Sequence, residues 1–381
     1  MKRVKRAGGG ASPAPLVVLV ALLCGLVACG DQSRIVKKVA QDTSPVQNFE
    51  IDLTFNDVIL EQANEQGRIV WKVNAKQATY SKDKKVAQVQ SPTGELFQDG
   101  KPVYQISAQQ GEIHQDGKKL FLRGQIVATE KRNGVVLRGN ELEWRPSEDL
   151  LIVRNQLSGT HRQVQAVAQE ARAFSRDARI ELQGRVVANT TDPALQLRTE
   201  HLIWQIREQK LIGDRPVQID RYKGKKITDR ARANYAEVNL KTKNATLKQN
   251  ATLALLEPPL QVASNSMSWN LNTETVTADQ PVRIVHRLPQ VTLTAKQSRM
   301  DLPKKIVYLT GDVYSVGQRR QSLKAKALTW YLPSQLVEAE GDVIYRQVEP
   351  PVSFTGQKAV GKLQDQNIVV SGGRVVTEII P

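Results

Sequence analysis

The side chains able to do chemistry in this 381-residue chain are few, and their spacing suits neither catalysis nor metal binding. His114, His161, His201 and His286 lie at least 40 positions apart, and no His-x-x-x-His or Cys-x-x-Cys pair occurs, so no zinc or other metal site is expected. The body carries no Gly-x-Ser-x-Gly elbow, no Gly-x-x-x-x-Gly-Lys-Ser/Thr phosphate loop and no Gly-x-Gly-x-x-Gly turn; Gly8-Gly9-Gly10 belongs to the N-terminal segment. Paired acids such as Glu338 and Glu340 alternate with Val337 and Ala339, which reads as the wet face of a strand rather than a general acid and base. No catalytic residue and no cofactor is therefore expected, and the chain does not read as an enzyme.

One thiol does have a chemistry. Lys2 to Arg6 form a positive segment, Leu16 to Val27 an apolar stretch, and Leu26-Val27-Ala28-Cys29 then precedes Gly30. This is the layout of a bacterial secretory signal ending in a lipobox, in which the Cys29 thiol accepts diacylglycerol after cleavage. The apolar run is about a dozen residues, shorter than the roughly 20 that cross a bilayer as a helix, which favours cleavage. The alternative is an uncleaved anchor in which Cys29 is an ordinary apolar-segment residue. Either way a periplasmic body is tethered to a membrane through its N-terminus. The only other cysteine is Cys24, so the exported body has no internal disulfide.

The elements that hold the rest together are repeats. Apolar residues alternate around a small or polar marker that recurs about every 30 residues, at Gly94, Gly124, Asn155, Gly184, Arg215, Asn250, Gln280, Gly311, Gly341 and Gly373. Leu120, Leu122, Ile126 and Ala128 flank Gly124, and Leu182 and Val186 flank Gly184. Leu309 and Val313 flank Gly311, and Val343 follows Gly341. Each module has room for two strands of about 10 residues and two turns, and Asp99-Gly100, Asp116-Gly117 and Asn133-Gly134 are two-residue hairpin signals. Val164 to Phe174 is the best helical candidate, though its alternation fits a strand equally well. In every other module a tryptophan stands 11 residues before the marker: Trp144, Trp204, Trp269 and Trp330, read as a packing ladder.

The expected fold is all-β: an open antiparallel stack of modules with one alternating apolar face. The predicted organisation is a signal peptide over 1–28, a lipidated tether over 29–48, a first β domain over 49–218, and a second domain or a continuation of the stack over 219–381. The boundary rests on the interval from Arg215 to Asn250, which stretches to 35 residues and contains Arg221-Tyr222-Lys223-Gly224-Lys225-Lys226. Net charge is +16, or +12 once the four basic residues of the first 28 positions are set aside. The basic residues are scattered among strands without an aromatic-basic signature, so nucleic acid is not an expected partner.

The segment Gly67-Arg68-Ile69-Val70-Trp71-Lys72-Val73-Asn74-Ala75-Lys76-Gln77-Ala78-Thr79-Tyr80 resembles the opening of the LptC family of lipopolysaccharide-export proteins, with its Gly, Trp and Ala-x-x-Ala-x-Tyr order. The run from Ala108 to Gly124 is similar to the OstA-type β repeats of periplasmic bridge proteins. The length and lipobox resemble cyanobacterial members; family members usually hold one such domain, and many are anchored by a transmembrane helix. The resemblance implies an open, extended or doubled β-jellyroll on the periplasmic side of the inner membrane. Its expected partners are lipopolysaccharide, the permeases of an inner-membrane ABC transporter and a soluble OstA-like bridge protein. On this reading Leu120, Leu122, Ile126, Leu182, Val186, Leu309, Val313 and Val343 line a groove for acyl chains. Val369, Val375 and Ile379 offer a C-terminal sheet edge to the bridge protein, and the strand near Phe49 to Phe55 faces the transporter. The competing reading is a non-catalytic β-solenoid scaffold or adhesin lipoprotein with a filled core.

Overall fold

Strand follows strand in a computed structural model that describes residues 53–81, 85–114, 118–287, 290–362, 367–373 and 375–379. The signal, lipobox and tether, including Leu26, Val27, Ala28 and Cys29, lie outside the described residues, as does Asp116-Gly117. Residues 51–381 form one unit whose 28 described strands join into a single antiparallel sheet. Successive strands are hydrogen-bonded neighbours: Leu120–Glu130, Val136–Arg145, Leu150–Thr160, Val164–Phe174, Arg179–Thr190 and Leu195–Gln205 pair in that order. Val164–Phe174 is a strand; Ala166, Ala171 and Ala173 are buried, and a helix there would have left both neighbours unpaired.

What the 30-residue marker does is bend the strand. At Gly124-Gln125, Asn155-Gln156, Gly184-Arg185, Gln249-Asn250, Gly311-Asp312 and Gly341-Asp342 two consecutive residues have positive φ. The register with the neighbouring strand slips at each, as between Arg123 and Ile126 or between Thr310 and Val313. Two residues thus oppose one, and the strand turns a corner while the inward alternation resumes in phase. Glycine suits the first position twice over at Gly311 and Gly341: φ is +76° and +80°, and a Cβ would lie 2.9 Å from the Cβ of Lys296, at the break between two strands, and of Lys326 on the preceding strand. The same lysines close the corner electrostatically on Asp312 and Asp342, at 2.7 and 2.8 Å.

Elsewhere the corner breaks the strand in two. Ser91-Pro92, Asp214-Arg215-Pro216 and Asp279-Gln280-Pro281 each include a proline, which cannot donate to the ladder. Lys210–Gly213 and Val217–Lys223, on either side of Arg215, both pair with Leu195–Gln205, one through Ile203–Gln205 and the other through Leu195–Arg198, so a single neighbouring strand bridges the break. Gly94 is not a corner: the bend falls at Ser91, with φ 48°, and Gly94 is small because Lys72 and Val73 backbone would occupy its Cβ position.

The line of corners folds the sheet into two arms whose inner faces meet. Their apolar side chains make one continuous core, each buried Val, Leu or Ile contributing about 1.5–3 kcal/mol. Outer faces are stapled by charge. Arg154 donates to Glu143 and Glu170 at 3.2 and 2.6 Å, tying three strands, and Asp220 accepts from Arg198 and Arg230 at 2.8 and 2.6 Å. Burial pushes the Asp220 carboxyl up, but Arg230, Gln218 and Arg198 more than offset it and hold it below the usual range.

Candidate functional site: a closed apolar trough

Strands run alternately outward and back, so their turns collect along two free margins, here called lips. Turns at 99–100, 131–135, 161–163, 191–194, 224–225 and 256–259 lie on lip I; those at 146–149, 175–178, 206–209, 240–243, 271–274 and 302–305 lie on lip II. Between them runs the inner space. Leu120, Leu122, Ile126, Leu182, Val186, Leu309, Val313 and Val343 all face it, and each is 1% exposed or less. The trough is therefore shut in this structure, filled by its own side chains.

The tryptophans close it. Trp144, Trp204, Trp269 and Trp330 stand at the lip II ends of their strands, buried, and each meets a residue from arm I, the half of the sheet that borders lip I. Tyr104 approaches Trp144 at 6.1 Å between ring centroids and His161 approaches Trp204 at 5.8 Å, both edge-on; His286 lies 5.6 Å from Trp330. Facing Trp269 stands the Arg221 guanidinium in place of a ring among the described residues, 5.3 Å above the indole. Trp144 also donates its indole N–H to the Val70 carbonyl on arm I at 3.2 Å. Trp71 breaks the spacing rule because it sits near lip I, at the start of Ile69–Tyr80. Burial lowers the pKa of both His161 and His286; Arg162 adds to it at His161.

Outside the rings the lips are tied by ions. Asp99 on lip I takes two hydrogen bonds from Arg176 on lip II, at 2.9 and 3.1 Å. Asp192 pairs with Lys243 at 2.8 Å, and Glu274 on lip II receives Lys223 at 2.9 Å and Arg221 at 3.3 Å. Burial raises the Glu274 carboxyl, yet Lys223 and Arg221 outweigh it and leave its pKa lowered. Asp99, Arg176 and Asp192 are more than half exposed, so solvent screens these first two ties and they hold the lips only weakly. Neither they nor the arm I partners of the tryptophans follow from the sequence reading. A weak signal existed for the latter: positions 104, 161, 221 and 286 are spaced by 57, 60 and 65 residues, tracking the tryptophans at 60, 65 and 61.

Both ends of the sheet present free edges among the described residues. Thr54–Ala63 pairs on one side only, with Phe55 and Ile59 exposed; only the last residues of the predicted Phe49 to Phe55 strand are described. At the other end Asn367–Ser371 and Val376–Ile379 pair only with Val352–Lys362. Val369 is 63% exposed and Val375 is exposed beside it, while Ile379 is placed by its backbone pairing with Val352. No group of His, Cys, Asp and Glu among the described residues could hold a metal ion, and no described helix is long and apolar enough to cross a membrane.

The family signature described as lipopolysaccharide-assembly, LptC-related, matches this chain twice, over residues 17–152 and 136–257. Together these cover more than half of the 381 residues. The chain belongs to the LptC-related lipopolysaccharide-assembly family. It is an elongated, all-β member of it, and membership places its work in lipopolysaccharide transport at the cell envelope. The two matches overlap on the strand Val136–Arg145, so this LptC-related chain carries the family pattern in tandem along one sheet. No curated protein matches it.

Proposed function

We propose that this chain is a membrane-tethered, non-catalytic conduit on the periplasmic side of the inner membrane. It accepts lipopolysaccharide from an inner-membrane ABC transporter into the space between its arms and passes it to a soluble OstA-like bridge protein. The observation that carries this reading is a continuous aliphatic interior whose closure along the lips depends in part on solvent-exposed ion pairs. An acyl chain of about 14 carbons costs on the order of 11 kcal/mol to expose to water, so a lipid with several must be shielded in transit. Parting the lips exchanges protein side chains for acyl chains at little net cost in buried apolar surface, and surrenders the exposed ion pairs together with the tryptophan contacts and the Trp144–Val70 hydrogen bond. The scaffold alternative uses the same repeats but never opens.

A photo-crosslinking amino acid placed singly at Leu122, Ile126, Val186 or Val313 tests this, with outward-facing Val167 and Val187 as controls. Incubation with labelled lipopolysaccharide should give adducts at the four inward positions and not at the controls. Absence of adducts at all four would show a permanently filled core and leave the scaffold reading standing.

A further inference from the structure

The outer faces of the two arms differ in charge. On arm II acids and bases lie side by side and pair, as Arg154 and Arg172 do with Glu170 at 2.6 Å and Lys210 with Glu237 at 2.8 Å. On arm I the cross-strand register places Arg138, Arg198, Arg232, Arg283 and Lys324, all exposed, in one outward row. The adjoining row towards lip I adds Arg230 and Arg346, and Asp220 is the one acid in either row among the described residues. Seven bases against one acid leave a surplus of six positive charges. Asp220 is already held by Arg198 and Arg230, at 2.8 and 2.6 Å. Arg232 donates to Gln218 at 3.0 Å, and the Lys324 ammonium stands 5.8 Å from the Tyr314 ring. Among the described residues no acid pairs with Arg138, Arg283 or Arg346, although all three are exposed.

We propose that this row is a docking track for a linear acidic polysaccharide of the periplasmic cell wall, whose carboxylates meet the guanidinium groups. The inference goes beyond the conduit reading and uses only its periplasmic placement, since the row lies on the outer face, away from the trough. From Arg138 to Lys324 the row crosses 12 strand-to-strand steps, about 58 Å at about 4.8 Å each. Its bases stand about 10–19 Å apart, beyond the Debye length of about 8 Å in physiological salt, so only a long anion engages several of them. Neighbouring strands rotate by about 10–35°, so over the whole row the outward direction turns by more than about 120°. A flat bilayer cannot meet both ends of such a row; a flexible chain follows it. Between the bases the two rows carry Ser158, Thr160, Gln165, Asn189, Thr252 and Thr294, whose hydroxyls and amides suit sugar hydroxyls. Every strand here is paired on both sides, which leaves no backbone edge for an acidic peptide to join.

The test titrates the full chain into labelled polygalacturonate, a linear polymer with a carboxylate on every sugar, and into its uncharged methyl ester, and follows fluorescence anisotropy. Binding of the acid and not of the ester is expected, weakening as salt rises. Arg138→Gln, Arg232→Gln and Arg283→Gln together should weaken it about thirtyfold, about threefold for each exposed contact. Arg123→Gln, Arg299→Gln and Lys362→Gln remove the same charge from exposed positions of arm II and should weaken it less than about threefold. Labelled-lipopolysaccharide adducts at Leu122 should be the same in both triple variants as in the unaltered chain, so the fate of the conduit is read separately. Equal weakening by the two triples would make the attraction one of net charge and overturn the track. Failure of the unaltered chain to bind polygalacturonate overturns it as well. Phosphatidylglycerol vesicles whose binding falls in the arm I triple, while polygalacturonate binding does not, would reassign the row to a membrane surface and overturn the glycan.

Discussion

Replacing Arg221 by methionine removes a charge from inside the lip while keeping a side chain of similar length over Trp269. The magnitude follows from what is left behind. Arg221 and Asp229 are 7% and 4% exposed, and their closest approach is 2.6 Å. Without the guanidinium, Asp229 retains only the Thr228 hydroxyl at 2.6 Å, while Glu274 keeps Lys223. Breaking one side of a buried pair costs about 3–5 kcal/mol, because the remaining charge stays desolvated. Loss of the cation above the Trp269 ring removes about 0.5–2 kcal/mol, of which a methionine sulfur against the same ring returns about 0.3–1.5. The expected net loss is about 3–5 kcal/mol. The double variant Arg221→Met with Asp229→Leu should lie within about 1–2 kcal/mol of the parent, since no orphaned charge remains. Because each strand contacts mainly its neighbours, global unfolding need not be two-state, and amide hydrogen exchange is the suitable assay. Protection should fall in Val217–Lys223, Lys226–Ala233 and Asn244–Leu255 and stay unchanged in Ser322–Tyr331. A single variant that loses less than about 1 kcal/mol, or a double variant as damaged as the single one, would refute the buried-pair argument.

Acidification should loosen the lips through histidine. His286 is buried against Trp330 with neither ring nitrogen hydrogen-bonded, and its folded pKa is lowered, so the unfolded chain takes up the proton first. Its contribution is complete above about pH 6.5 and is lost as pH falls below that value, with a slope of at most about 1.4 kcal/mol per pH unit; His161 acts in the same direction. His286→Phe should flatten the acid limb in urea titrations at pH 7.5 and 5.5, and an unchanged limb would contradict the assignment. At the other end, deleting residues 373–381 removes the Val376–Ile379 half of the exposed edge and should weaken capture of the bridge protein in a pull-down by about tenfold or more. Capture at full strength would exclude strand addition there.

The modules are legible because corners and alternation are local: a positive-φ pair wants glycine, asparagine or a short polar residue, and the inward period of two shows on either side of it. Gly94 misled because its smallness serves a close backbone approach just past the bend, on the strand that begins after Ser91. The tryptophan ladder showed in its spacing, since all four residues are of one type. Its other side did not, because Tyr104, His161, Arg221 and His286 do the same job with three different chemistries, and only the folded sheet brings them 40 to 48 positions along the chain to their partners. The lip ion pairs left no trace, because Asp192 and Lys243 are ordinary turn residues until two turns 51 positions apart are seen to face one another. Whether the apolar alternation is a groove or a core could not be read either; the closed structure has both arms meeting, and the distinction is one of opening, not of composition.

Corners alternate with turns, and each strand reverses the one before. A segment of about 15 residues gained or lost would therefore send every later turn to the opposite margin, placing Trp330 where His286 belongs and lysine turns where their acids should be. A segment of 30, such as that between Gly311 and Gly341, leaves every later residue on its own side. Growth of this protein is thus quantised in pairs of strands, and its length can change by whole modules without redesigning either margin.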